Sequence, residues 1–273
     1  IFDDHGIFTS LAVYDYAQIP IDLRPRTFPY FTLGLIQVLS ENLAANRMFS
    51  LLLHIICAGL LLVLLRTLLV AAFSGSATPS NRQRCKLAYW FSAIAAISFS
   101  IHPIAVYGAG YLAQRTILFA TLFSLLSLLF YRRAFAENRT VDVVTAALFY
   151  SLAVFSKEHA IMLPLAALSL AALYEGNWRT HFKRMALYLL LCLPAALTVL
   201  LATKHIVASS YEPDVAVMLP QMKNIAVLAQ SRGEWFVSIV LQAGFFFDYL
   251  AFWIVPDVRF LSADMRFDFV HIW

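Results

Sequence analysis

Asp3 and Asp4 set two carboxylates side by side in Phe2-Asp3-Asp4-His5-Gly6. Adjacent acids can divide between them the roles of general base or metal ligand and of the group that orients it. A solvated loop end is the plainer reading of the same pair. Arg115 closes a short stretch that opens with His102-Pro103. Its planar fork of donors suits a phosphate, although a snorkelling anchor at a membrane edge uses the same residue type. Lys157-Glu158-His159 is a charged triplet set between two apolar runs, either a self-paired turn or a second cationic point of one site. His54 stands inside an apolar run, where an imidazole more often ties two helices together than catalyses. No P-loop, GxSxG, HExxH or GxGxxG pattern occurs, so ATP hydrolysis, serine hydrolysis and zincin chemistry have no sequence support.

The elements that must position these groups are membrane helices. Of 273 residues, 61% are hydrophobic and only 13% are charged, where soluble domains carry roughly a quarter charged. Disorder is excluded by the shortage of charge, collagen-like and low-complexity classes by the 9 Gly and 10 Pro, and a disulfide scaffold by 3 scattered Cys without a CxxC. The apolar residues form long runs rather than the dyad alternation of a transmembrane β-barrel, so the spans are helical. The net charge of +4 comes from basic residues in short loops between those runs, which is a topology signal and points away from nucleic acid.

Six spans are expected within 48–203, over 48–65, 87–101, 116–131, 143–155, 160–174 and 185–203. A single helix over 143–174 would be about 48 Å long, too long for a hydrocarbon core of about 30 Å, so the chain must fold back at Lys157-Glu158. Three loops carry three basic residues each: Arg82, Arg84 and Lys86; Arg132, Arg133 and Arg139; Arg179, Lys183 and Arg184. The positive-inside rule makes them cytoplasmic. Cys85 then faces inward, while Cys57 and Cys192 are expected to be buried in helices. The extracytoplasmic side holds 1–47, the turn from His102 to Arg115, the Ser156-Lys157-Glu158 turn and 204–234. Within 1–47, the segment between Arg26 and Glu41 is too short for a comfortable span and reads as a helix lying in the interface. The stretch 204–273 reads as an outer loop and a last helical segment over 235–255 that either crosses or breaks at Pro256. The chain begins at Ile1 and ends at Trp273 without the features of natural ends, so upstream and downstream parts are expected.

Taken in order, Asp3-Asp4, Arg24-Pro25, the stretch from Asn46-Arg47 to His54, His102-Pro103 through Arg115, and Ser156-Lys157-Glu158 resemble one family. It is that of the TMTC-type O-mannosyltransferases and their bacterial relatives, which include the type IV pilin arabinosyltransferases. The similarity extends to Ala229-Gln230-Ser231-Arg232 and to the stretch from Pro256 to Asp264, and so covers nearly the whole chain. The series from His-Pro to Arg to Ser-Lys-Glu is its specific part. The tetratricopeptide repeats that follow the membrane module in TMTC proteins are absent here, and the family's first membrane helix would lie upstream of Ile1.

The resemblance implies a single all-α domain over 1–273, a polytopic transmembrane bundle of GT-C type with extracytoplasmic loops and interfacial helices. It implies inverting transfer of one sugar from a polyprenyl-phosphate donor to a hydroxyl of an extracytoplasmic protein acceptor, a pilin Ser or Thr in the arabinosyltransferase case. The lipid bilayer is the second partner, and a bacterial inner membrane with the site facing the periplasm is the expected location. Asp3 or Asp4 would be the base, and His102, Arg115, Lys157 and Arg232 would hold the donor phosphate. Arg24, His54, Glu158, His159 and Asp264 would support them. No cofactor is certain: some GT-C enzymes use a divalent metal such as Mg or Mn and others none, and Asp3 and Asp4 are the residues able to hold one. A transporter or flippase for a polyisoprenoid-phosphate-linked sugar is the competing expectation. The acid pair argues against it, because like charge would repel the donor phosphate.

Overall fold

A computed structural model describes residue 8 and residues 12–18, 25–74, 81–171, 178–206, 247, 250 and 251. The described residues are helical, with no strand among them. In chain order the helices are α1 (Ala12–Tyr16), α2 (Thr27–Ser40), α3 (Leu43–Ser74), α4 (Asn81–Ile101), α5 (Pro103–Gly110), α6 (Arg115–Ala136), α7 (Thr140–Ser156), α8 (Leu163–Ala171) and α9 (Trp178–Ile206), with 3-10 turns at Leu112–Gln114 and Glu158–Met162. The chain divides into two compact units, Ile1–Ile101 with Val106–Ser209 and His102–Ala105 with Ser210–Trp273. Apart from the start of α5, these helices belong to the first unit.

Three helical stretches are long and apolar enough to cross a membrane: Leu43–Ala72, Leu112–Ala136 and Arg179–Ala202. They contain the first and third of the expected spans and all but the last residue of the sixth. The second expected run is helical as α4, but Arg82, Arg84 and Lys86 make its first turns too polar to meet the same measure. The fourth and fifth belong to shorter apolar helices, Thr140–Ser156 and Glu158–Ala171. At 17 residues α7 is about 25 Å long.

The expected fold-back occurs where the sequence places it. Helix α7 ends as Lys157 adopts an extended conformation (φ −158°, ψ 131°), and the 3-10 turn from Glu158 leads into α8. Pro103 likewise follows the end of α4, because proline disfavours helical backbone in the residue before it. Helix α2 occupies the 14 residues between Arg26 and Glu41, and both flanking residues lie in the left-handed region (φ 68° and 49°). A Cβ on Gly34 of α2 would overlap the backbone of Val13, Tyr16 and Ala17, so glycine is what lets α1 lie directly on α2.

The core sits between α6, α7, α8 and α9, where Tyr131, Tyr150 and Tyr188 pack among Ala146, Ala147 and Ala153. Small residues on α7 let helices approach closely when both sides are apolar and burial against water does not drive them together. Hydrogen bonds across helices add to this: the Ser127 hydroxyl donates to the Ala146 carbonyl at 2.8 Å and lies 3.0 Å from the Tyr188 hydroxyl. Helix α3 joins through Leu53, packed with Ala109, Leu118 and Phe119, and through Cys57, Leu64 and Leu125. Cys57 and Cys192 are buried as expected, and Cys85 is exposed. Leu51, Leu52, Ile55 and Ile56 on α3 and Leu190, Leu197 and Leu201 on α9 face outward. Large apolar side chains turned outward on the longest helices are what a hydrocarbon solvent requires.

Candidate functional site

A charged arrangement forms where α7 breaks. Lys157 leaves the helix and Glu158 starts the 3-10 turn, so both side chains stand at the end of an apolar bundle. The start of α2 is fastened to this point from the other side. Pro25 is buried, and Arg26, in its left-handed conformation, donates its backbone N–H to the Phe155 carbonyl at 2.6 Å. Its guanidinium then grips Glu158 through both oxygens, Nε to Oε1 at 2.9 Å and Nη2 to Oε2 at 3.0 Å. A non-glycine residue with positive φ is strained by of order 1 kcal/mol or more, so three hydrogen bonds are needed to hold Arg26 there.

The electrostatics arise from that geometry. Burial raises the Glu158 pKa, but the hydrogen bonds from Arg26, the backbone N–H and the charges of Arg26 and Lys157 outweigh it and leave the carboxyl below its ordinary value. Lys157 is pushed below the ordinary lysine value, first by burial and then by the Arg26 charge, with Glu158 pulling the other way. Among the described residues, two cations against one carboxylate leave the half-buried junction net positive and able to receive an anion.

Arg115 has a different environment from the one its place beside a short turn predicts. It is 1% exposed and reaches into α3, with Nε donating to the Ser50 hydroxyl at 3.2 Å and Nη2 to both the Asn46 carbonyl and the Asn46 side-chain oxygen at 2.8 Å. The guanidinium also lies over the Phe49 ring, 5.0 Å from its centroid. Asn46 in turn donates to Gln37 of α2 at 3.0 Å. One buried polar chain thus joins α6, α3 and α2, the helix whose first turn holds Arg26. The physical reason is local: at the first residue of α6, a side chain turned inward meets the early turns of α3, whose Asn and Ser oxygens need donors in an apolar setting.

His54 is 3% exposed and donates from Nε2 to the Ser100 carbonyl of α4 at 3.0 Å, beside the Phe99 ring. That is the helix-tying role. His159 is exposed, and burial of part of its ring together with the Lys157 charge lowers its pKa. His102 stands at the break between α4 and α5 and belongs to the second compact unit. Asp3, Asp4, Arg24, Arg232 and Asp264 lie outside the described residues. Among the described residues no group of three or more His, Cys, Asp or Glu could hold a metal.

Sequence reasoning missed Arg26 and Gln37, and it named Asn46 only as the start of a motif, without its buried role. The signal for Arg26 lay beside one already noticed, since it follows Arg24-Pro25, but its partner is 132 positions away. No family model matches the chain, and no curated protein or solved structure is significantly similar to it.

Proposed function

We propose that this protein is an integral-membrane glycosyltransferase with a polytopic GT-C bundle, which moves one sugar from a polyprenyl-phosphate donor to a hydroxyl of an extracytoplasmic protein acceptor. The observation that carries this reading is the net-positive junction of Arg26, Lys157 and Glu158 at the end of an apolar helical bundle. A donor with a long apolar tail and one phosphate needs a surface continuous with lipid that ends in a half-desolvated cation. The order of motifs from Asp3-Asp4 to Ser156-Lys157-Glu158 adds support.

In the reaction, the acceptor hydroxyl oxygen attacks the anomeric carbon and forms the new C–O bond. The bond from that carbon to the phosphate oxygen breaks, and the phosphate leaves on its polyprenyl chain. The hydroxyl proton passes to Asp3 or Asp4. Lys157 stabilises the charge that grows on the departing phosphate, and Arg26 keeps Glu158 from neutralising it. A divalent metal, if bound by Asp3 and Asp4, would supply further charge stabilisation at that phosphate. The site faces the periplasm of a bacterial inner membrane, and a pilin-type Ser or Thr is the acceptor class.

The test is transfer by the purified protein in nanodiscs, with polyprenyl-phosphate arabinose and polyprenyl-phosphate mannose labelled in the sugar and a Ser/Thr peptide as acceptor. Label in the peptide, reduced by about 10²-fold or more in Asp3→Asn or Asp4→Asn, is expected. Donor bound and moved across the bilayer without transfer would make the protein a flippase instead.

A further inference from the structure

The opposite end of α6 carries a second cationic arrangement, independent of the proposed reaction. Arg184 on α9 is 8% exposed, and among the described residues neither its Nε nor its Nη1 has a hydrogen-bond partner. Arg132 Nε and the Tyr131 hydroxyl are buried in the same condition. The carboxylates described near this end, Glu137 and the buried Asp142, make no ion pair with Arg132 or Arg184, although Asp142 Oδ2 itself has no hydrogen-bond partner among the described residues. Arg133 Nε lies 3.1 Å from Glu137 and 3.4 Å from Asp142, and Arg139 reaches Glu137 at 3.4 Å.

Two ring contacts fix how α6 and α9 face each other. Phe135 meets the His181 ring at 5.1 Å, and Tyr131 meets Tyr188 at 4.6 Å. The helices therefore run antiparallel, and both Arg132 and Arg184 fall between the two contacts. His181, Arg184 and Tyr188 are spaced three and four apart, which puts them on one face of α9. The aromatic rings bridge the two helices, and Arg132 and Arg184 lie in the stretches of chain between the bridging residues.

A buried guanidinium without acceptors is strongly unfavourable, and native structures rarely leave one so. We infer that this end of the bundle is a phosphate-binding site in which Arg184 and Arg132 receive a phosphate group, either of an anionic lipid headgroup or of a free phosphate ion. The guanidinium fork matches phosphate oxygens two at a time. The neighbouring stretches of chain carry Arg132, Arg133 and Arg139 and Arg179, Lys183 and Arg184, as a leaflet rich in anionic lipid favours.

The full chain, purified in phosphate-free zwitterionic detergent, is unfolded thermally alone and with inorganic phosphate, short-chain phosphatidylglycerol or matching phosphatidylcholine. The parent should be stabilised by phosphatidylglycerol at a concentration about tenfold or more below that at which phosphatidylcholine acts. If inorganic phosphate reproduces the shift, the free ion is a ligand; if only the lipid does, the headgroup is. In Arg184→Met the shift should disappear, while the ligand-free protein unfolds at the parental temperature or above, because an apolar side chain replaces an unpartnered charge. Arg132→Gln should retain part of the shift, and it carries the test alone if Arg184→Met does not fold. A parent that responds to neither phosphate compound, or equally to phosphatidylcholine, overturns the inference, as does a parental response in these variants.

Discussion

Helix α6 begins with a buried arginine, Arg115, and its other end lies toward a second, Arg184 of α9, and the two have opposite surroundings. At its start, Arg115 donates from Nε and Nη2 to Ser50 and Asn46 of α3 and so fastens two helices together. At its end, the half-buried Arg132 and the buried Arg184 of α9 have buried N–H groups that meet no acceptor among the described residues. Arg115 and Arg184 are alike in residue type and are both buried, so neither property decides the role. The hydrogen bonds do: a guanidinium that makes three of them to a neighbouring helix is a strut, and one whose Nε and Nη1 make none among the described residues is a receiver.

The largest effect should come from removing the strut. Arg115→Ala leaves the Asn46 and Ser50 oxygens unpaired and opens a cavity, at a cost of about 3–4 kcal/mol, seen as a large fall in unfolding temperature in detergent. Arg115→Lys should recover only part of it, because an ammonium cannot span both acceptors in the same plane. A stable Arg115→Ala protein that had lost only donor binding would make Arg115 a ligand after all and erase the contrast between the ends.

Glu158→Gln comes next. The Arg26–Glu158 pair is partly exposed, with side chains 34% and 22% accessible, so its loss should cost about 1–2 kcal/mol. The same pair gives a pH dependence. Because the folded Glu158 pKa is depressed, its contribution is complete above the unfolded carboxyl value of about 4.3 and is lost as pH falls through the lower folded value. Acid unfolding of Glu158→Gln should therefore be less steep than that of the parent over that window. Equal slopes would separate the pair from stability.

Arg184→Met should change stability by about 1 kcal/mol or less without phosphate, the reverse of the Arg115 result. The smallest effect is chemical. In the folded protein an impermeant thiol reagent should modify Cys85 and spare Cys57 and Cys192. In intact cells it should spare Cys85 too, if the basic loops face the cytoplasm.

Much of the fold was legible because it depends on local sequence. The helix between Arg26 and Glu41, the break at Lys157 and the stop before Pro103 follow from charge, proline and length along one stretch of chain. Burial of Cys57, Cys192 and His54 follows from their place in apolar runs. The hydrogen-bonding fate of the arginines was not legible. Arg26 finds Glu158 132 positions away and Arg115 finds Asn46 69 positions away, and such pairings depend on which helices become neighbours. Periodicity states which face of a helix is apolar; it does not name the partner that covers it.

If the junction at Lys157 receives the donor phosphate, donor affinity measures that role most directly. Binding of polyprenyl-phosphate sugar to the purified protein in nanodiscs should weaken about tenfold or more in Lys157→Ala, with the unfolding temperature unchanged. In the parent, affinity should fall as pH rises through a range below the ordinary lysine value of about 10.4, since the Lys157 pKa is lowered. Parental affinity in Lys157→Ala across that range would contradict the assignment of this junction to the phosphate.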